Sequence, residues 1–373
     1  MDPRTFSQPL TGILIWATAW YNMVLLLRRR WEVGGTLSMQ DVIGFGAINL
    51  DMIYLVDSLT EVSGDGIEFL PGREFCVTSE VFSRALQRVE QMGVLKTESG
   101  GGSAANTIVA LSRLGFNTGF IGKVGRDSEG RTLLAQMEGV DLRGIVSEGM
   151  SGRCLCVLDA KQDRSIFLET NTNDTLSSEE IDFRYATNTR YVHLTSFAGE
   201  KPFLAQMALA DRVCPPTRIS FDPGEVYACR GLEYLKPLLE RSFIVFVTET
   251  EVEMLTGLNL LDGSQRLLEL GPSIILCKKG EAGVHIVSCD EWFDLPAERA
   301  EVLDNTGAGD VFNAGFLAGI LTNRPLKDCA CFGTRLAARS LTGYGRSRYP
   351  EKQDLAFFQE CQNQNARRLP GTD

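Results

Sequence analysis

The chain has 373 residues, 44% of them apolar and 23% charged, so it is long enough for one large or two smaller folded units, and its composition excludes a disordered, collagenous or multi-span membrane protein. Its net charge of −11 provides no field that would hold a polyanion, so we expect no nucleic-acid partner. The 37 glycines indicate many tight turns and places where backbone approaches a ligand closely.

Cysteine and histidine are not arranged as in a metal centre. The ten cysteines include no C-x-x-C pair, and the two histidines, His193 and His285, stand far apart in the sequence. Free thiols in a reducing compartment are the simpler interpretation, so we expect a cytoplasmic protein.

The first 38 residues allow two interpretations. Residues 10–27 carry no charge and are followed by three arginines, which is the pattern of a marginal membrane anchor with the folded body on the cytoplasmic side. We favour the alternative, an extension at 1–38 outside the fold with Met39 as the natural start, because polar residues interrupt the apolar stretch. A membrane is an expected partner only if the anchor is real, and the mass of the native N-terminus distinguishes the two.

From Asp41 onward, short apolar runs alternate with segments of helical period, which predicts an α/β fold with a mostly parallel sheet covered by helices on both faces. The predicted strands are Val42–Gly46, Thr118–Gly122, Arg190–Leu194, Ile219–Asp222, Phe243–Thr248, Ser273–Lys278 and Gly283–Val287. The predicted helices are Glu80–Met92, Ala104–Leu114, Glu129–Met137, Lys201–Ala210, Tyr234–Leu239, Glu249–Thr256, Ala308–Leu321 and Lys327–Leu341.

Two segments break this alternation, Asp51–Cys76 and Gly152–Glu169. Both contain strand-like runs with no helix placed to cover a second face, so we predict a small separate sheet. Such a sheet would act as a lid over the edge at which an open α/β sheet binds its ligands.

The sequence DNTGAGD, which starts at Asp304, is the strongest chemical signal. A loop of small residues leads directly into an apolar helix, so the amides of Gly307, Ala308 and Gly309 are predicted to be first-turn donors that form an anion site. Asp310 lies in the same first turn, where its carboxylate can accept a proton beside a bound phosphate.

A second glycine-rich sequence, GGGSAAN, runs from Gly100 to Asn106 and also leads into an apolar helix. Consecutive glycines allow a ligand to press against the backbone, and Asn106 offers both a donor and an acceptor one turn into the helix. We therefore expect a ligand-binding loop rather than a flexible linker.

Together, GGSAAN and DNTGAGD resemble the motifs of the ribokinase family, also called PfkB carbohydrate kinases, in their order and separation. The resemblance implies an α/β fold with a Rossmann-like three-layer αβα domain and a small β-sheet lid. It extends over about residues 41–355, so we predict a kinase domain at 39–355, with the lid formed from about 51–76 and 152–169, and a tail at 356–373. It also implies transfer of the γ-phosphoryl group of ATP to a hydroxymethyl group of a sugar or nucleoside, with Asp310 as the general base and Gly307–Gly309 as the anion hole.

The resemblance further implies roles for individual residues. The substrate would be held by Asn49, Asp51, Gly101, Gly102, Asn106 and Glu169, and the nucleotide by Lys279, Gly280, Gly283 and Asn313. Glu251 would order the shell of a Mg²⁺ ion, together with Thr248, which replaces the asparagine of the family. Asp304 and the carbonyl of Thr306 match a monovalent-cation site, close to Gly345, so K⁺ is a candidate cofactor beside ATP and Mg²⁺.

Several alternatives stay open or are rejected at this point. A Rossmann oxidoreductase is rejected because the G-x-G at Gly44 continues as a strand, and no Walker sequence is present. A sugar or nucleotide sensor without turnover remains a rival of a different class. The long insert before the glycines favours slightly the adenosine-kinase-like branch, hence an adenosine or other nucleoside kinase, and the lid is a candidate surface for a homodimer.

Overall fold

The structure is a computed structural model that describes residues 39–161, 163–356 and 358. The predicted extension at 1–38 and most of the predicted tail at 356–373 lie outside the described residues. The strands are β1 (Gln40–Phe45), β2 (Asn49–Leu55), β3 (Arg73–Cys76), β4 (Val94–Gly101), β5 (Thr118–Val124), β6 (Val140–Ser147), β7 (Gly152–Leu158), β8 (Arg164–Glu169), β9 (Thr189–Thr195), β10 (Arg218–Asp222), β11 (Ser242–Thr248), β12 (Ile274–Lys278), β13 (Val284–Ser288) and β14 (Trp292–Leu295).

Besides a helical stretch at 352–356, twelve α-helices are present in the described part of the chain. They are α1 (Leu59–Val62), α2 (Ser79–Met92), α3 (Ser103–Leu114), α4 (Ser128–Ala135), α5 (Phe183–Ala186), α6 (Glu200–Ala210), α7 (Gly224–Ala228), α8 (Leu232–Arg241), α9 (Glu249–Thr256), α10 (Leu260–Leu268), α11 (Ala308–Leu321) and α12 (Leu326–Ser340). Among the described residues, none of these helices combines the length and the apolar character needed to cross a membrane.

The main sheet has nine strands in the order β14-β13-β12-β11-β10-β9-β1-β5-β6. The seven strands from β12 to β6 pair in parallel, and the two at the other edge, β13 and β14, pair antiparallel. Because parallel strands end at the same edge of a sheet, the residues that follow β10, β11 and β12 are brought close together.

Helices cover both faces of the main sheet, which gives three layers. Val42 of β1 packs in a core with α3, α11 and α12. The next residue, Ile43, packs in a second core with α6 to α10. Neighbouring strand residues therefore bury against opposite layers, as the predicted three-layer αβα architecture requires.

A second sheet, the small sheet, has five strands in the order β3-β8-β7-β2-β4. Met52, Leu155 and Phe167 on one of its faces pack against helix α2 through Phe82. Register places Asp51 beside Cys154, and Cys154 opposite Leu168, on the other face.

The predicted elements match the observed ones closely in the main sheet. All seven predicted strands lie on observed strands, with bounds that differ by one or two residues. The sequence reading missed β4, β6 and β14 because their apolar patterns are weak: β4 and β6 are largely exposed or half-buried along their length. β4 completes the small sheet and carries the second glycine-rich sequence into the site.

The backbones of helices α11 and α12 approach each other closely at Gly315, and this contact leads to a testable prediction. A Cβ atom on Gly315 would lie 2.7 Å from the Cα atom of Gly333. We expect Gly315→Val to lower the free energy of unfolding by at least about 1–3 kcal/mol, since backbone cannot yield as a side chain can. Urea unfolding measures the change. Lys327→Val on the exposed side of α12 is the control, and equal stabilities for the two variants would contradict the packing.

Candidate active site

A cavity of about 1220 Å³ is lined by residues of both sheets. The small sheet contributes Asn49, Asp51, Cys154, Ile166 and Leu168. The main sheet and its helices contribute the ends of β10 and β12 and the first turn of α11. Most of the residues predicted from the two glycine-rich sequences therefore reach one space.

The loop before α11 is folded around Asp304. One carboxylate oxygen of Asp304 accepts from the amide of Thr306 at 2.8 Å, and the other accepts from the amide of Gly345 at 3.0 Å. Gly307 is the N-cap of α11 with φ 74°, a left-handed conformation that favours glycine. No side chain caps this helix end, so its dipole and first-turn amides face the cavity, although the Ala308 amide makes a long 3.4 Å hydrogen bond to the Asn305 carbonyl.

Asp310 lies one turn into this helix and is held on two sides by α3. Asn106 donates from Nδ2 to Oδ2 of Asp310 at 2.9 Å, and the Thr107 hydroxyl donates to its main-chain oxygen at 3.1 Å. Burial raises the pKa of Asp310 to about 7, against the opposing effect of the Asn106 hydrogen bond. A carboxyl group with that pKa can exchange protons near neutral pH.

Asp51 occupies the other side of the cavity, on β2. Its carboxylate lies so close to the backbone of β4 that a Cβ atom on Gly101 would be 1.9 Å from Oδ2, so only glycine fits at that position. Burial raises the pKa of Asp51 to about 7, and Arg346 acts in the opposite direction. Asn49 is fixed beside it, since its Oδ1 accepts from Nδ2 of Asn173 at 2.8 Å.

Glu169 does not reach this cavity, contrary to the expectation from the sequence. It is the last residue of β8 and lies opposite Arg153 of β7, on the face of the small sheet that packs against α2. Its Oε2 accepts from Nε of Arg153 at 2.6 Å, and that guanidinium lies over the ring of Phe82. Strand alternation puts Leu168, rather than Glu169, on the cavity face.

The lysine pair Lys278-Lys279 also differs from the expectation. Lys279, the predicted nucleotide ligand, forms an ion pair with Asp294 at the edge of the main sheet, whereas Gly280 and Gly283 line the cavity. It is Lys278 that lines the cavity and ends β12. Lys279 is the first residue after β12, at the start of a turn, and the sequence alone does not show which of the two lysines faces inward.

Lys278 is part of a buried charged group that the sequence reading missed. Its Nζ lies 2.6 Å from Oδ2 of Asp222 at the end of β10, and Asn313 of α11 donates to the same oxygen at 2.6 Å. Asn313 thus supports Asp222 and is not itself among the cavity-lining residues. Lys278 lies next to the anion loop, since a Cβ atom on Gly309 would be 3.4 Å from Nζ.

Thr248 and Glu251 form a capping box at the start of α9. The Thr248 hydroxyl accepts from the amide of Glu251 at 3.3 Å, and Oε2 of Glu251 accepts from the amide of Thr248 at 3.0 Å. Both residues line the cavity. Burial and the nearby Asp222 raise the pKa of Glu251 above its usual range. A nearby dication would favour the ionised form of this carboxyl group.

Within the described residues, no group of three or more His, Cys, Asp or Glu side chains is close enough to bind a metal ion by itself. Mg²⁺ commonly keeps several water ligands and is held by one or two carboxylates together with substrate phosphates. Glu251 supplies one carboxylate that lines the cavity, which fits that kind of site.

Sequence comparison finds a family profile and several relatives that match this chain. The profile described as pfkB family carbohydrate kinase matches residues 88–352. An uncharacterised sugar kinase of Archaeoglobus fulgidus is 37% identical over 243 residues, 64% of this chain and 96% of the relative. An ATP-dependent ribose-1-phosphate kinase of Halopiger xanaduensis is 27% identical over 326 residues, 86% of this chain and 98% of the relative.

The fold is shared with solved structures. The structure of adenosine kinase from Sinorhizobium meliloti superimposes with a TM-score of 0.76 at 22% identity, over 87% of this chain and 99% of the other. Another structure with this fold, an E. coli protein assigned as a ribokinase in complex with ATP and Mg²⁺, superimposes with a TM-score of 0.67 at 20% identity, over 87% of this chain and 100% of the other. The profile match covers more than half of the chain, and together with the sequence motifs it shows that this chain belongs to the pfkB family of carbohydrate kinases.

Proposed function

We propose that the chain transfers the γ-phosphoryl group of ATP to a hydroxymethyl group of a sugar or nucleoside, with Asp310 as the general base. The observation that carries this proposal is a buried carboxyl group with a pKa of about 7 in the first turn of an uncapped helix that opens into the cavity. Such a group combines a proton acceptor with an anion site at one point.

The proposed reaction needs little covalent help from the protein. Asp310 accepts the proton of the substrate hydroxyl, the resulting oxygen forms a bond to the γ-phosphorus, and the bond to the bridging oxygen breaks, so that ADP leaves. The amides at Gly307–Gly309 stabilise the charge on the transferred group, because the helix dipole already points at that position. The proton on Asp310 returns to solvent when the product leaves.

Lys278 supplies the fixed positive charge in this proposal. It lies beside Gly309 and is neutralised by Asp222 before the nucleotide binds. A cation held in place by an ion pair does not need to reorganise when charge develops during the transfer. We therefore assign Lys278, and not Lys279, to the triphosphate.

The nucleotide and its metal ion have a matching set of residues. Gly280 and Gly283 would let the nucleotide approach the backbone, while Thr248 and Glu251 would hold the water shell of Mg²⁺. Bound Mg²⁺ supplies charge neutralisation between the phosphates. Asp304 and Gly345 remain the candidate neighbourhood of a monovalent cation, which a comparison of activity in K⁺ and in Na⁺ would test.

The acceptor would lie against Asp51 and Asn49, whose oxygens can accept from neighbouring sugar hydroxyls. The small sheet adds an apolar wall of Cys154, Ile166 and Leu168 on the same side of the cavity. That wall favours a second candidate, a nucleoside kinase. A nucleobase has an apolar face that could be buried against the wall, whereas a free sugar has little apolar surface. A screen of ADP release with nucleosides, sugars and sugar phosphates separates the two.

The central prediction concerns Asp310→Asn. We expect kcat to fall by about 10²–10⁴-fold, since the amide keeps the shape but accepts no proton, with ATP affinity nearly unchanged. Although the variant loses activity, we expect its folded state to be more stable than that of the wild-type protein at high pH. The folded-state pKa is raised from 3.8 to about 7, so above pH 7 the wild-type protein bears the cost of a buried charge that the variant lacks.

The variant should therefore have the higher melting temperature at pH 8, and the difference should shrink as the pH falls through 7. Coupled-enzyme assays and thermal unfolding at pH 5 and pH 8 provide both readouts. Full turnover by Asp310→Asn would contradict the proposed base, and absence of turnover in the wild-type protein with every acceptor class would favour the sensor.

The two lysines provide a matched comparison. We expect Lys278→Met to lower kcat/KM for ATP by at least about 100-fold, in line with the loss of a preorganised transition-state contact. Lys279→Met removes the same charge one residue further on and should have less than about one tenth of that effect. The reverse order of the two losses would show that Lys278 is structural and that the assignment is wrong.

Glu251→Gln tests the metal site. We expect the Mg²⁺ concentration needed for half-maximal activity to rise by about tenfold, because an amide orders the water shell of the ion less strongly than a carboxylate does. Glu249→Gln, on the same helix, is the control, and its Mg²⁺ titration should match the wild type. If the Mg²⁺ titrations of Glu251→Gln and the wild type superimpose, Glu251 does not order the water shell of the metal ion.

A further inference from the structure

The turn that follows α12 packs behind the site and carries a buried arginine that contacts Asn106. Arg346 is 6% exposed, and its main-chain oxygen accepts from the guanidinium of Arg113 at 2.8 Å. The preceding residue, Gly345, donates its amide to Asp304. The turn is thus attached to both the anion loop and helix α3.

Arg346 is connected to Asp310 through one amide. Its Nε donates to Oδ1 of Asn106 at 3.0 Å, and Nδ2 of the same Asn106 donates to Asp310 at 2.9 Å. A guanidinium has donors only, so it fixes which end of the Asn106 amide faces it. The NH₂ end must then face Asp310, where it contacts Oδ2 and leaves Oδ1 available.

The rest of the guanidinium is not used for hydrogen bonding in the described part of the chain. Both Nη1 and Nη2 of Arg346 are buried there without a partner. Leaving buried donors unpaired costs stability, and an apolar side chain of similar size would avoid that cost. Arg346 is therefore poorly suited to stabilising the fold, and its chemistry fits a fixed positive charge close to the site.

That charge acts on Asp51 and Asp310, two of the carboxyl groups that line the cavity. The Arg346 cation lowers the pKa of Asp51 and of Asp310, against the dominant effect of burial, which raises both. The groups that face Asp310 from the elements around it are Asn106 of α3, Asp222 of β10, Lys278 of β12, Asp51 of β2, and Arg346 and Tyr349 of the turn.

We propose that Arg346 is a positioning residue that locks the Asn106 amide against Asp310 and supplies the counter-charge for the two carboxylates that flank the acceptor hydroxyl. This inference rests on the proposed role of Asp310. Arg346 contributes in two ways, an orienting donor and a positive charge, and the two can be separated by substitution.

The test compares Arg346→Lys, which keeps the charge, with Arg346→Met, which removes charge and donor, by pH profiles of kcat/KM for the acceptor. For Arg346→Met we expect the acidic limb to move to higher pH by about one unit, as for a carboxyl group that loses a nearby cation, and kcat on the plateau to fall by about tenfold. For Arg346→Lys we expect the limb to stay in place while kcat falls, since the donor geometry is lost.

Arg348→Met is the matched control, because Arg348 is exposed in the same turn, and its profile should follow the wild type. A melting temperature of Arg346→Met well below the wild type, together with an unmoved acidic limb, would identify a structural residue and overturn the inference. If Arg346→Met does not fold, a double-mutant cycle with Arg346→Lys and Asn106→Ala provides the test. The inference requires that the double variant loses less kcat than the sum of the two single losses, in free-energy terms. Additive losses contradict it.

These outcomes are distinguishable from a failure of the proposed function. If Asp310→Asn is inactive and the Arg346 profiles follow the wild type, only the inference about Arg346 fails. If Asp310→Asn keeps full activity, the general base is wrong, whatever the Arg346 variants do.

Discussion

The site depends on one physical constraint, the burial of ionisable carboxyl groups in a cavity that, under the proposed function, also receives a polyphosphate. Asp51 and Asp310 are both buried enough to have pKa values of about 7. Burial of a charge is tolerated only where donors or opposite charges are close. The uncapped start of α11, the ion pair of Lys278 and the guanidinium of Arg346 together meet that condition.

The fold explains why these groups meet. Parallel strands β10, β11 and β12 end at one edge of the main sheet, so Asp222, Thr248 and Lys278 follow one another around the cavity. The small sheet faces them with Asp51 and an apolar wall. Under the proposed function, the nucleotide side would come from the main sheet and the acceptor side from the small sheet, so that the two substrates would share one space.

Much of this could be predicted from the sequence, since the signals are local. Asp310 and its glycine loop lie next to each other in the chain, and the strands of the main sheet carry clear apolar runs. Glu169 and Lys279 each lie one position from the residue that faces the cavity. For Glu169 the reason is strand alternation, since one residue of register reverses inward and outward, and Lys279 lies just past the end of β12, where a turn begins. Arg346 carries no local signal at all. Its role follows from contacts with Asn106, 240 positions earlier, which only the folded chain brings together.

The protonation of Asp310 is the central claim, and a ¹³C NMR titration of the aspartate carboxyl carbons tests it most directly. The difference between the wild-type spectra and those of Asp310→Asn isolates the resonance, without any need to know the acceptor. The account predicts a carboxyl group that titrates near pH 7. A resonance that titrates near pH 4, the ordinary range for aspartate, would show that the cavity does not hold a base poised for neutral pH and would contradict the account.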